Sequence, residues 1–274
     1  MGRVSGLALV GLFCLALSDR AAADPVLTGE AVQGGMMVGN APDAQSIFLD
    51  GKAVLVAPDG TFLIGFGRNA KAKAELKTVY SDGREKTVTL AIAQRTYKVQ
   101  RINGLPKKKV TPDPAAMKRI GAENGLIGRV RALTTPEAWF KSGFNWPVKG
   151  PISGVYGSQR ILNGKPRSPH NGTDVAAPSG TVISAPADGT VRLAHADMFY
   201  TGQTVMLDHG LGLTSVYAHM SAILVKDGQF VTQGTPIGKI GKTGRVTGPH
   251  LHWGVTWRRT HLDPMLLTGP MPKQ

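Results

Sequence analysis

Glycine-centred turns interrupt this chain so often that long helices have little room. Its 274 residues include 35 glycines and 18 prolines, and Asp-Gly pairs recur between short apolar runs. In the first third, Asp50-Gly51, Asp59-Gly60 and Asp82-Gly83 bound alternating runs at 46–52, 52–56, 61–66, 74–80 and 87–92. Short strands with such turns predict a small β-sandwich over residues 24–95. In the second half, Asp188-Gly189, His209-Gly210, Asp227-Gly228 and Thr243-Gly244 frame expected strands at 181–185, 190–195, 204–208, 213–219, 235–240 and 250–257. The fold class expected is therefore mainly β, with an antiparallel barrel or sandwich bent round a groove over residues 147–274. Apolar residues make up 42% of the chain, ample for globular cores.

Between the two β regions, residues 96–146 read as a basic, partly helical linker. Pro106-Lys107-Lys108-Lys109 and Thr111-Pro112-Asp113-Pro114 suggest exposed chain. Asp113 can cap a helix with Pro114 at its first position, running through Ile120 and on towards Val130. Phe140, Phe144 and Trp146 are apolar enough to pack on the domain that follows.

Charge is uneven. The formal net charge is +14; residues 24–95 carry 8 basic and 8 acidic side chains, residues 96–149 carry 11 and 3, and residues 150–274 carry 11 and 6. A basic middle suits nucleic acid, anionic lipid or an anionic polymer, or simply a solvated linker. Residues 1–23 favour the polymer. Arg3, the apolar stretch 4–18 and Ala21-Ala22-Ala23 have the form of a cleavable secretory signal. The stretch is too short to span a bilayer comfortably, so no stable membrane span is expected after cleavage. Export argues against nucleic acid as a partner. Cys14 is the only cysteine, so the mature chain has neither disulfides nor thiolate ligands.

Residues 24–95 contain no histidine; the chemistry lies later. His170-Asn171-Gly172-Thr173-Asp174 offers an imidazole and a carboxylate, Tyr217-Ala218-His219 a second imidazole, and His250-Leu251-His252 two more. Alternate residues of a strand share a face, so His170 pairs with Asp174 across Gly172, and His250 with His252. Two such strands side by side would gather N and O donors around one point, as zinc requires.

These motifs resemble the signature of the M23 (LytM/lysostaphin-like) zinc endopeptidases. The matching pieces are His170-x-Gly-x-Asp174, Tyr217-x-His219-Met220 and Gly248-Pro249-His250-Leu251-His252-Trp253. The glycine-rich frame Ala185–Val191, Leu207–Gly210, Val231–Gly234 and Ile237–Gly241 fits as well. The resemblance covers roughly residues 147–264. It implies a zinc ion held by His170, Asp174 and His252. It implies also that His219 and His250 act beside the metal, one taking a proton from the attacking water and one assisting the oxyanion or the leaving amine. The implied substrate is the peptide of bacterial peptidoglycan, whose free carboxylates suit a basic protein, and the implied location is outside the inner membrane, in the periplasm.

One internal feature agrees. No glutamate follows Glu137, so a His-Glu-x-x-His mechanism is closed to this domain and histidine is the economical base. His195, His209 and His261 read as structural, and Tyr217 and Trp253 as core residues. The region between Gly157 and Pro169 supplies Arg160, Asn163 and Arg167 where the family often shows tyrosine or asparagine, leaving any secondary stabiliser there undefined. Two other functions are compatible with parts of the sequence. An inactive or auto-inhibited cell-wall-binding regulator is disfavoured by the full set of five site residues. A biotinyl-type carrier module, suggested by Ala-Pro-Ala-Asp-Gly, would leave the histidines unexplained.

Overall fold

The computed structural model describes residues 24–272; the expected signal segment 1–23 lies outside them. None of the helices among the described residues is long and apolar enough to cross a membrane.

The first β region forms two sheets. Strands Val26–Gly29, Met36–Asn40 and Thr61–Gly65 make one; Lys52–Val54, Ala44–Leu49, Lys73–Tyr80 and Glu85–Ala91 make the other, all antiparallel. Alternation explains the second sheet. Along Lys73–Tyr80 every second residue, Ala74, Leu76, Thr78 and Tyr80, is buried, the period-two pattern of a strand with one covered face. Thr61–Gly65 differs in being buried throughout. Its far side meets the second β region, where a side chain added at Gly65 would strike Leu262 and Trp257. One apolar cluster runs from Phe62 and Ile64 through Trp257 and Leu262 to Val205, Tyr217 and Leu251.

The helix lies where its capping residues place it. It spans Pro114–Arg131, and the Asp113 carboxylate accepts the Ala116 N–H at 2.7 Å. The lysine run before it is not free linker. Val99–Ile102 pairs in parallel with Gln159–Leu162, which pairs with Lys165–Pro166. A short helix follows at Lys107–Val110. Lys109 Nζ donates to the Phe199 carbonyl, and Asn163 exchanges two hydrogen bonds with Leu105. Leu105, Val110 and Leu162 form a small apolar cluster that outweighs the exposure suggested by composition. Phe140 and Phe144 pack into the main core, as their apolar character predicts.

The C-terminal region is a ten-stranded antiparallel sheet. Its main path runs Phe230–Val231, Gly189–Met198, Gly202–Gly210, Leu213–Ile223, His250–Trp257, Thr173–Ala176, Ile152–Gly154. Val182–Ser184, Pro236–Ile240 and Thr260–Leu262 branch from that path. The path has two ends and does not close into a barrel.

Candidate metal centre and its groove

Two strand pairings build the site. Thr173–Ala176 runs antiparallel to His250–Trp257, with Asp174 directly opposite His252. Opposed residues of antiparallel strands project to the same face, with Cβ atoms about 5 Å apart. His170 precedes the strand. It is held by its own backbone, which donates to Ser158 O and accepts from Gly157 N. The chain between must pass very close to the partner strand: a Cβ at Gly172 would lie 2.4 Å from Trp253 O and 2.9 Å from His252 Cε1. Gly154, on the far side, is equally constrained, since its Cβ would lie 2.4 Å from Asp174 Oδ2.

The three side chains converge. His170 Nε2 is 3.0 Å from Asp174 Oδ1, His252 Nδ1 is 2.8 Å from the same oxygen, and the two nitrogens are 3.0 Å apart. His170 Nδ1 faces Val155 O at 3.1 Å. Burial pushes the His170 pKa down to about 4, against the pull of Asp174, so at neutral pH the ring carries one N–H. Two acceptors, Val155 O and Asp174 Oδ1, compete for that proton, and whichever loses faces a nitrogen lone pair. Burial also opposes the charge on Asp174, but hydrogen bonding with both imidazoles outweighs it and holds the carboxyl well below its ordinary range. Three donor atoms facing one another with too few protons form a site that a cation completes. Two imidazoles and a carboxylate are a donor set that suits zinc and leaves a further position open.

Asp174 Oδ2 is engaged separately: Arg160 Nη2 donates to it at 2.7 Å. This answers the question left by the segment between Gly157 and Pro169. Arg160 fixes the carboxylate, Asn163 binds Leu105, and Arg167 donates to Val110 O. No motif signals the Arg160 contact; the parallel pairing that brings Gln159–Leu162 alongside is not visible in a local pattern.

His219 and His250 flank the cluster. Their rings are 4.8 Å apart, and the His219 ring is 6.2 Å from that of His252. His219 lies where Leu213–Ile223 changes partners. Ala218 is opposite His252, while Met220 is opposite Ile240. The residue between has φ +66°, a left-handed conformation rare for a side-chain-bearing residue. Its Nδ1 donates to Thr243 O at 2.8 Å, which leaves Nε2 as an acceptor. Burial, aided by the neighbouring histidines, lowers the His219 pKa to about 3, keeping the ring neutral. His250 Nδ1 faces Gly248 O at 2.9 Å. The loop between Gly241 and Gly248 is pinned rather than free: Thr243 Oγ1 donates to Met220 O, and Arg245 N to Tyr200 O.

A cavity of about 160 Å³ borders Asp174, His219 and His250, and its other walls include Gln100, Leu105 and Arg245. No residue of 24–95 lines it. The remaining histidines lie apart. His209 is buried, with Nε2 2.7 Å from Ser215 Oγ, which in turn is 2.7 Å from the Tyr217 hydroxyl. His195 Nδ1 accepts from Asp197 N, and His261 Nδ1 lies 3.3 Å from Thr256 Oγ1. Tyr217 and Trp253 are fully buried core residues.

An open antiparallel sheet carrying a His-Asp-His cluster, with Asp174 lining a cavity beside it, is the type of site a metallopeptidase uses. The family model described as Peptidase family M23 matches residues 168–264. A solved structure from Pseudomonas aeruginosa, assigned to peptidase M23, aligns with TM-score 0.67 and 31% identity, covering 88% of this chain and 96% of that one. This chain belongs to peptidase family M23. Peptidoglycan DD-endopeptidase ShyA of Vibrio cholerae is 44% identical over 104 residues, 38% of this chain and 24% of that protein. ShyB of the same organism is 38% identical over 132 residues, 48% of this chain and 28% of that protein. The matched part thus spans only about a quarter of these curated relatives.

Proposed function

We propose that this chain is an exported zinc endopeptidase that hydrolyses peptide cross-links in peptidoglycan. The observation that carries the reading is the placement of His219 and His250, each with Nδ1 facing a backbone carbonyl, beside the converging donor atoms of His170, Asp174 and His252. The names of the Vibrio relatives supply the substrate class. His170, Asp174 and His252 would hold the ion, and zinc bound there would supply Lewis acidity to a water and to a peptide carbonyl. Arg160 orients the Asp174 carboxylate by donating to Oδ2. His219, its Nδ1 proton committed to Thr243, takes the proton of the attacking water at Nε2. His250 faces the same cavity and serves the oxyanion or the departing amine. A proton relay between rings 4.8 Å apart needs no large motion. The basic segment 96–149 favours residence on a carboxylate-bearing wall.

The test is zinc content and release of cross-linked peptides from sacculi by residues 24–274, beside His170→Ala and His219→Ala. Wild type should hold about one zinc and cut. His170→Ala should lose the metal, and His219→Ala should keep it and lose activity. A protein that holds zinc and cuts no sacculi would move the regulator reading ahead; one that holds no zinc would refute the ligand set.

A further inference from the structure

The groove contains a second cationic group that no acidic side chain among the described residues neutralises. Arg160 and Arg245 both line the cavity that holds Asp174, His219 and His250. Arg160 is matched by Asp174. Arg245 makes no ion pair among the described residues. Its guanidinium carbon lies 4.3 Å from the centroid of the Tyr200 ring, and Nη1 reaches Lys109 O only at 3.5 Å. Burial disfavours its charge, and the nearby charges of Arg160 and Arg167 add to that. Elsewhere in this region the acids are engaged: Glu123 and Asp197 both bind Arg119. A half-buried guanidinium with unused donors, held against an aromatic ring, is costly in isolation and favourable once a carboxylate arrives.

The geometry points to Arg245 as the anchor of a subsite for a free carboxylate of the peptide substrate, close to the bond that is cut. This rests on the endopeptidase reading. Three features define the ligand. The loop that carries Arg245 is fixed at its backbone, where Arg245 N donates to Tyr200 O at 2.8 Å, so the group is pre-positioned. Of the remaining walls, Ile102, Leu105, Leu162 and Val246 are apolar and Gln100, Ser153 and Thr247 are polar, so the ligand combines a short aliphatic portion with polar groups beside its charge. The cavity, of about 160 Å³, has room for a carboxylate with a few carbons. A stem-peptide residue that flanks the scissile amide and keeps its own carboxylate has this chemistry. Part of the pocket comes from Gln100 and Ile102 of the strand Val99–Ile102 and from Leu105 just after it, so those residues contribute to specificity as well as to the fold.

The test uses two cross-linked muropeptides that differ only in whether the carboxylate flanking the scissile bond is free or amidated. The wild-type chain should cut the free acid about 10- to 100-fold more efficiently in kcat/KM, the range expected for a charge-assisted contact, with the difference mainly in KM. Arg245→Gln should collapse that ratio towards one, and Arg245→Lys should restore part of it, with zinc content unchanged in both. Equal cleavage of the two substrates by wild type, or an equal loss on both in Arg245→Gln, would overturn the subsite. If wild type cuts neither, the endopeptidase reading fails separately. Calorimetry with the free-acid and amidated stem peptides then decides the subsite: preferential binding of the acid that disappears in Arg245→Gln supports it, and equal or absent binding overturns it.

Discussion

Gly172 is tightly constrained beside the His170–Asp174–His252 cluster, and Gly172→Ala tests whether the strand pairing sets the ligand geometry. Its φ is not in the left-handed region, so the obstacle to a methyl group is space alone. The added Cβ would lie 2.4 Å from Trp253 O, 2.9 Å from His252 Cε1 and 3.0 Å from Gly254 Cα. Two of these are backbone atoms of the strand that carries His252, so relief requires strands Thr173–Ala176 and His250–Trp257 to part by about 1 Å to reach ordinary contact. Asp174 and His252 sit opposite one another on those strands, with their donor atoms 2.8 Å apart. Metal bond lengths tolerate only about 0.2 Å. A weakening of zinc binding by about 10- to 100-fold is expected, or about 1.4–2.8 kcal/mol. Overpacking should also cost the metal-free fold ~1–3 kcal/mol, lowering Tm by about 2–12 °C. Competition with a chromophoric chelator measures the first effect, and thermal denaturation of metal-free protein the second. Gly121→Ala is the control: it lies in the exposed helix, a Cβ there meets nothing within 4 Å, and it should gain ~0.5–1 kcal/mol. Wild-type zinc affinity and Tm in Gly172→Ala would show that the ligands are not placed by this strand contact.

Other consequences can be checked in the same preparations. Arg160→Ala removes the donor to Asp174 Oδ2 and should weaken zinc about 10- to 100-fold, read by chelator competition; an unchanged affinity would deny Arg160 its orienting role. Asp113→Ala deletes the helix cap and should cost about 1 kcal/mol, or ~2–4 °C in Tm, with sacculus cleavage preserved. Metal-free protein should be acid-sensitive. Burial lowers the pKa of His170 and His261 to about 4 and of His219 to about 3, while the unfolded values stay near 6.5. The unfolded chain therefore binds more protons between these limits, so stability is fully present above about pH 6.5 and falls as the pH drops towards 4 and below. Denaturant midpoints that stay level from pH 7 to pH 5 would contradict this.

Much of the candidate site is legible in the sequence because its parts are local. His170 to Asp174 and His250 to His252 are close in the chain, and the alternation of a strand aligns their side chains. Local turn chemistry likewise reveals the strand Lys73–Tyr80, and the Asp113-Pro114 pair reveals the helix that follows. What is hidden depends on pairing between distant segments. Val99–Ile102 reads as basic linker, since its half-exposed pattern carries no signal until Gln159–Leu162 lies beside it. The expected face-sharing of His170 and Asp174 within one strand is also only partly met. The strand begins at Thr173, and His170 reaches the cluster from a loop held by Gly157 and Ser158.

The groove arises where regular structure gives way. Leu213–Ile223 pairs with His250–Trp257 as far as Ala218 and with Pro236–Ile240 from Met220 onward. One residue must absorb the turn between those partners, and His219 does so at φ +66°, a conformation that costs ~1–3 kcal/mol for a non-glycine residue. Glycine would adopt it without that cost, yet the position holds the imidazole whose Nδ1–H is fixed on Thr243 and whose other nitrogen faces the groove. The same break separates the strands enough to leave a cavity between His250 and the pinned loop that carries Arg245. The strain at His219, the space beside it and the direction of its ring thus share one cause, the change of strand partner. Exchanging His219 for glycine should therefore separate stability from chemistry, raising the first and abolishing the second.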